Sequence, residues 1–139
     1  MENIEKLFKN DVFIKKFTSL EIIKEKTITI ILPSDYLAFL EFYDGGEGFT
    51  YNEQSYLVLY GISDIVEINS DLHNELNYPS VFSEYIFFGK DAGPTYYGFK
   101  KSDKLVYEIP VLISCESEIE YYSDSFSNFL QKFCGLLSE

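Results

Sequence analysis

The chain has 139 residues, a formal net charge of −12 and a hydrophobic fraction of 46%. A chain of this length and apolar content can bury a core without disulfides or metal, which argues against intrinsic disorder. No apolar run is long enough to cross a bilayer, and the N-terminus lacks the apolar stretch of a signal peptide. We therefore expect one cytoplasmic domain covering residues 1–139.

The negative charge is concentrated in the middle of the chain. Residues 27–89 contain ten carboxylates and no lysine or arginine, and the whole chain has no arginine. A field of this sign repels phosphate backbones and anionic lipids, and arginine is the side chain that pairs with phosphate in bidentate geometry. The composition predicts no direct binding of nucleic acid or membrane, and it favours a basic protein as partner.

The N-terminal third is predicted to be largely helical. Apolar residues over 3–17 recur with an imperfect helical period. Thr18 and Glu21 have the spacing of a capping box, which predicts the start of a second, short helix. The segment 27–33 alternates Thr with Ile and predicts either a strand or an extended lead-in.

The clearest helix in the sequence is predicted over 34–43. Pro33 suits the first turn of a helix because its missing N–H would have no partner there. The apolar residues that follow recur at i, i+3, i+4 and i+7, and Gly45 and Gly46 are predicted to end the helix.

The remaining sequence predicts an antiparallel sheet and two more helices. Segments rich in aromatic and β-branched residues predict strands at 49–51, 56–60, 85–89, 95–99 and 105–109, with 111–115 as a further candidate. A middle helix is predicted over 64–76 with Ser63 as its N-cap. The acidic segment 115–120 is expected to lead into a last helix, with Ser123 or Asp124 as cap. The predicted fold class is α+β, with an antiparallel or mixed sheet of five to six strands packed against N-terminal, middle and C-terminal helices.

No catalytic or metal-binding pattern is present in the sequence. His73 is the single histidine, and without a second ligand at metal-binding spacing it is predicted to be a surface residue. Cys115 and Cys134 lack CxxC spacing and are predicted to be reduced, mostly buried thiols. We expect no enzymatic activity, no cofactor and no metal. A small hydrolase that uses Cys115 or a carboxylate pair is the weaker alternative.

A series of short motifs, in this order, resembles the SUKH superfamily. The matching residues are Leu32-Pro33 with Asp35-Tyr36 and Phe39-Leu40, then Asp44-Gly45-Gly46-Glu47-Gly48, then Phe88-Gly89 with Asp91 and Gly93, then Tyr97 with Phe99, and finally Ser125-Phe126 with Phe129-Leu130. The bacterial branch of this superfamily is related to the yeast cell-wall-synthesis regulator and includes many immunity proteins. The resemblance implies an α+β domain that binds proteins.

The resemblance also implies a function. Such bacterial proteins are typically encoded beside a secreted toxin, often a nuclease, and protect the producing cell by binding the toxin domain. The charge agrees, because a domain that approaches phosphate tends to be basic and an acidic partner is steered onto it. We therefore expect an immunity protein that covers the active surface of a basic toxin domain. The alternative is a non-toxin scaffold or regulatory module, and the neighbouring genes distinguish the two.

The expected contact residues are carboxylates of the central segment and one aromatic anchor. They are Asp44, Glu47, Glu53, Asp64, Glu67 and Asp91, with Tyr96 or Tyr97 as the anchor. Since occlusion needs no active-site chemistry, no catalytic residue is assigned. The chain itself is expected to be a monomer or a weak homodimer.

Overall fold

The computed structural model describes residues 4–9, 21, 23, 25, 30–51 and 55–135. They contain a seven-stranded sheet in which the spatial order of the strands is their order in the chain. The strands are β1 (Phe8–Lys9), β2 (Gly46–Thr50), β3 (Tyr56–Leu59), β4 (Tyr85–Asp91), β5 (Thr95–Lys100), β6 (Val106–Pro110) and β7 (Glu120–Ser123). All neighbouring strands pair in antiparallel orientation, so the sheet is a simple meander.

Three α-helices lie among the described residues, and the predicted α+β class is confirmed. They are α1 (Ser34–Phe42), α2 (Ile62–Leu72) and α3 (Phe126–Phe133). Short 3-10 turns occupy Ile4–Leu7, Ser80–Glu84 and Glu116–Glu118. No helix in the described part of the chain has the length and apolar character needed to span a membrane.

Helices α1 and α3 cover one face of the sheet with a core made largely of aromatic rings. Tyr36 of α1 is fully buried, and its ring meets that of Phe126 of α3 edge-on at 4.6 Å between centroids. The Tyr36 hydroxyl lies 2.7 Å from the carbonyl oxygen of Tyr60 and 3.2 Å from that of Phe88. This one side chain therefore ties α1 to β4, to the residue that follows β3, and to α3.

A smaller core lies on the opposite face of β4, β5 and β6. Its buried members are Leu72, Phe82, Tyr85, Phe87 and Ile109. Alternation of side chains along β4 explains the two cores, because Ile86 and Phe88 belong to the first and Tyr85 and Phe87 to the second.

Helix α2 pairs with the part of β4 that β3 does not reach. The β3–β4 ladder ends at the pair Leu59 and Gly89, which leaves the preceding residues of β4 without a strand on that side. Asn69 of α2 fills this place, since its Nδ2 donates to the Phe87 carbonyl at 2.8 Å and its Oδ1 accepts from the Phe87 N–H at 2.7 Å. One turn later, His73 Nε2 lies 2.7 Å from the Tyr85 carbonyl oxygen. The two side chains satisfy backbone groups that would otherwise be buried without partners.

Two glycines of the sequence motifs stand where no side chain fits. Gly45 has φ of 75°, and a Cβ there would lie 2.5 Å from the backbone nitrogen of Gly61. A Cβ on Gly89 would lie 2.5 Å from the carbonyl oxygen of Val58. Close approach of the backbone explains both residues.

The predicted N-terminal helix over 3–17 is wrong where the structure describes it. Ile4–Leu7 forms a 3-10 turn, and Phe8–Lys9 pairs with Phe49 and Thr50 of β2 as a strand. The rest of 3–17 lies outside the described residues. Residues 21, 23 and 25 have helical backbone, in agreement with the short helix predicted after Thr18, and residues 30–33 form no strand.

Other predicted boundaries also need correction. Helix α2 follows Gly61, without a side-chain cap from Ser63, and it ends at Leu72 rather than at 76. Residues 111–115 form no strand. The acidic segment that follows them leads instead into β7, the last strand of the sheet.

The N-terminus of α3 is capped by two side chains, and neither is a residue that the sequence predicted. Ser125 Oγ accepts from the Asn128 N–H at 3.1 Å, and Asp35 Oδ2 of α1 accepts from the Ser127 N–H at 3.0 Å. Ser123 and Asp124 precede this cap. The carboxylate of Asp35 also complements the positive end of the α3 dipole.

The two cysteines differ in their surroundings. Cys115 is exposed, so its predicted burial is wrong. Cys134 packs against the core, and burial raises the pKa of its thiol to about 11. Packing is therefore the role of Cys134.

Candidate partner-binding surface

Helix α2 presents three exposed carboxylates on the side opposite its buried residues. Asp64, Glu67 and Asp71 are spaced at i, i+3 and i+7, which places them on one side of a helix with about 3.6 residues per turn. We call this trio the α2 acidic face. No described residue forms a hydrogen bond or ion pair with the three carboxylates, so they are available to a partner.

Tyr96 of β5 packs against the smaller core, which includes Leu72 of α2. Burial, followed by the neighbouring Tyr78 and Asp71, raises the pKa of its hydroxyl. Tyr96 is half-buried, and the Nζ atom of Lys90 lies 5.9 Å from its ring centroid. The predicted aromatic anchor Tyr96 and the carboxylates of α2 therefore belong to one surface.

Asp44 lies at the turn between α1 and β2, next to the start of α2. A Cβ built on Gly61, the residue before α2, would lie 2.5 Å from Asp44 Oδ1. A carboxylate in this place is favoured by the positive end of the α2 dipole. Asp44 thus has a structural role at the beginning of the helix that carries the acidic face.

Glu47 is exposed on β2 and lies on the same face of the sheet as Tyr96. The cross-strand register runs from Glu47 to Val58, then to Lys90 and Tyr96, and side chains in one such row share a face. Glu47 Oε2 accepts from the Tyr56 hydroxyl at 2.6 Å, and this bond is the main reason why the pKa of Tyr56 is raised.

Asp91 and Tyr97 lie on the other face of the sheet. Asp91 pairs with Leu57, which is fully buried beneath α1 and α3. Tyr97 is only 4% exposed, and its ring contacts Phe129 at 4.9 Å between centroids. Tyr97 is therefore a core residue. Of the two predicted anchors, only Tyr96 is partly exposed.

The remaining predictions divide as follows. Glu53 lies outside the described residues. Asp71 was missed by sequence reasoning, although its position four residues after Glu67 was a readable signal.

Among the described residues, no group of three or more His, Cys, Asp or Glu side chains is arranged to hold a metal ion.

His73 is half-buried, which corrects its prediction as a surface residue. The bond to the Tyr85 carbonyl fixes the neutral tautomer that carries its proton on Nε2, because a carbonyl only accepts. Burial lowers the pKa of His73, and nearby Lys101 lowers it further, although the Tyr85 bond opposes both. The imidazole is a structural group in the contact between α2 and β4.

Comparison with protein families decides the relationship that the motifs suggested. The model of the SMI1/KNR4 family (SUKH-1) matches residues 18–132. The chain belongs to the SUKH-1 family. This family generally comprises non-catalytic immunity or regulatory proteins. A comparison with curated protein sequences gave no match.

The motifs of this SUKH-1 chain are mainly structural. Tyr36, Gly45 and Gly89 lie at close contacts between elements, and Asp35 caps α3. None of the residues of the α2 acidic face belongs to a motif. These motif residues therefore belong to the framework, and the carboxylates of the α2 acidic face lie outside the motifs.

Proposed function

We propose that this chain is an immunity protein that neutralises a cognate bacterial toxin by binding the toxin domain and covering its active surface. Membership of the SUKH-1 family supports a protein-binding role. The proposed contact is assigned to this surface because α2 displays three exposed carboxylates and Tyr96 lies near Asp71, one of them.

The charge of the surface defines the class of partner. A nuclease domain has to approach phosphate and is therefore basic where it acts. Complementary charge raises association rates from about 10⁵–10⁶ M⁻¹s⁻¹ toward about 10⁸ M⁻¹s⁻¹ or more at low salt. The same carboxylates repel the nucleic acid that the toxin would bind, so one surface both attracts the toxin and excludes its substrate.

Tyr96 supplies the apolar part of the contact. Interface energy is concentrated in a few residues, and tyrosine is enriched among them because it offers a large rigid ring and a polar tip. Tyr96 is held against Phe87, with 5.2 Å between ring centroids, so little freedom is lost when a partner covers it. Blocking requires no further chemistry from this chain.

Affinity capture tests the proposal. The tagged chain is used to capture its partner from the producing strain, and the partner is identified by mass. We expect a basic domain of a toxin encoded next to this chain, and capture that falls with rising salt. An endogenous protein encoded elsewhere, with no toxic activity, would contradict immunity and favour the scaffold.

A matched pair of variants locates the contact in the same experiment. Asp64→Lys combined with Glu67→Lys reverses two charges of the α2 acidic face. Glu116→Lys combined with Glu120→Lys reverses two exposed charges near the β7 edge. We expect only the first pair to reduce capture, and equal effects of the two pairs would show that the contact is elsewhere.

A further inference from the structure

A groove of about 350 Å³ opens on the face of the sheet opposite Tyr96. Five of its lining residues carry the argument: Asp91, Tyr97, Glu108, Tyr122 and Phe133. We call it the Asp91 groove. Its volume lies at the lower end of the range of about 300–1,000 Å³ typical of ligand sites.

Tyr97 places an unpaired hydroxyl in this groove. Its ring is fixed by Tyr122, Phe129 and Phe133, whose centroids lie between 4.9 and 5.8 Å away. No described residue forms a hydrogen bond with the hydroxyl, although only 4% of the residue is exposed. Since no fully buried side-chain polar atom of the described residues lacks a partner, the hydroxyl oxygen keeps some exposure, and Tyr97 lines the groove. A polar group held in this way is a ready partner for a ligand.

Two carboxylates flank that hydroxyl. Glu108 is the cross-strand neighbour of Tyr97. Asp91 Oδ1 accepts from the N–H groups of Gly93 at 2.8 Å and Thr95 at 3.1 Å, which fixes the carboxylate, while no described donor reaches its Oδ2. Burial raises the pKa of Tyr97, and Glu108, Tyr122 and Asp91 raise it further, so the hydroxyl stays protonated at neutral pH.

One tyrosine face in the wall of the groove is already occupied by a cation of this chain, so an incoming cation would meet the Asp91 carboxylate and the Tyr97 hydroxyl. Lys132 Nζ lies 4.3 Å from the ring centroid of Tyr122 and donates to the Tyr122 carbonyl at 2.9 Å. Carboxylates favour positive charge and disfavour an anion, and the oxygen of a tyrosine hydroxyl can accept from a cationic donor.

We propose that the Asp91 groove binds the cationic side chain, arginine or lysine, of a protein partner. The inference rests on the proposed function, because a basic toxin domain offers such side chains. The groove is a second contact, separate from the α2 acidic face, since Tyr97 packs in the main core and Tyr96 packs with α2 on the opposite face of the sheet. A partner that uses both would wrap around an edge of the sheet.

The first arm of the test uses the isolated chain and needs no toxin. N-acetyl-arginine amide is titrated while backbone amide signals are followed by NMR, with the citrulline analogue as a neutral control of the same shape. We expect saturable shifts at Asp91, Tyr97 and Glu108 with a Kd on the order of 1 mM, and at least about tenfold weaker binding of citrulline. Absence of saturable shifts at the groove would overturn the inference.

Two variants test whether the charge of Asp91 and the hydroxyl of Tyr97 contribute to binding of the cation. Asp91→Asn keeps an oxygen for the Gly93 and Thr95 N–H groups but loses the charge, and Tyr97→Phe keeps the packed ring but loses the hydroxyl. We expect each to weaken binding about two- to fivefold. Glu75→Gln, an exposed carboxylate beyond α2, should leave it unchanged. Equal weakening by Glu75→Gln would show general charge attraction and overturn the site.

The second arm measures affinity for the captured toxin domain. Weaker binding by Asp91→Asn and Tyr97→Phe supports a partner site in the groove. Toxin binding at wild-type affinity would overturn that site and leave the proposed function standing. If the wild-type chain captures no toxin, the proposed function fails, while the amide titration still decides whether the groove binds a cation.

Discussion

Asn69 shows how one side chain can complete a sheet. Its amide offers one donor and one acceptor to the Phe87 backbone, as a neighbouring strand residue would. The sequence gives little sign of this role, since a lone asparagine in a helix is usually an exposed residue. Only the end of β3 at Leu59, known from the structure, explains why an amide is needed there.

Asn69→Ala should lower the free energy of unfolding by about 2–6 kcal/mol. The reason is that the Phe87 N–H and carbonyl, both buried, would each lose a partner at a cost of about 1–3 kcal/mol. Urea unfolding measures the change. Ser70→Ala, at the exposed neighbouring position, should change the value by no more than about 0.5 kcal/mol. Similar losses in both variants would contradict the assigned role.

His73 should make stability depend on pH in a defined range. Because its pKa is lowered in the folded state, the unfolded chain takes up the proton first as pH falls. The contribution is therefore complete above about pH 6.5 and is lost as pH falls through the lowered folded-state value. Urea unfolding between about pH 7.5 and 5.5 should show a steeper loss for the wild type than for His73→Gln, and parallel losses would contradict this account.

At the scale of elements, the two sides of α2 have different roles. Its inner side holds the open part of β4 through Asn69 and His73, and its outer side carries the α2 acidic face. The inner contact holds α2 against the sheet, and the three outer carboxylates add up to one local negative field, which is the source of the proposed steering.

Reversing the charge of α2 should slow association. For Asp64→Lys with Glu67→Lys, we expect the association rate with the captured toxin domain to fall about tenfold or more at low salt. Its dependence on ionic strength should also become flatter, because less of the rate depends on steering. Stopped-flow mixing over a salt series measures both quantities. Unchanged rate and salt slope would show that α2 does not steer the partner.

The sequence predicted the elements whose signals are local. Helix α1 and the strands β4 to β6 follow from apolar periodicity and turn residues, and the structure confirms them. The first residues were predicted as a helix because their apolar spacing is helical, but pairing with β2 makes Phe8–Lys9 a strand. Likewise, the acidic sequence around Glu118 does not indicate a strand, and β7 forms because it pairs with β6. Such long-range contacts override local preference.

Prediction of the site was limited by the same cause. Alternation along β5 indicated that Tyr96 and Tyr97 face opposite sides, but only the packing shows which ring is in the core. The helical spacing of Asp64 and Glu67 was readable, so the α2 acidic face could have been completed with Asp71 from the sequence alone. The Asp91 groove could not have been predicted from the sequence. Its lining residues come from six elements, which are β3, β4, β5, β6, β7 and α3.

At the scale of the whole molecule, one framework carries two charged surfaces. The residues that carry the family pattern hold α1, α3 and the sheet together around Tyr36, Phe88 and Phe126. The charged groups of α2 and of the Asp91 groove lie on opposite sides of that framework. The α2 acidic face lies outside the family motifs, whereas the Asp91 groove includes the motif residues Asp91 and Tyr97.

The most direct test of the central claim is a titration of the captured toxin domain with the purified chain while toxin activity is measured. Neutralisation by occlusion predicts that activity falls to background at a stoichiometric ratio, and that the variant Asp64→Lys with Glu67→Lys needs a higher concentration for the same effect. Full toxin activity at saturating concentrations of the wild-type chain would contradict the account.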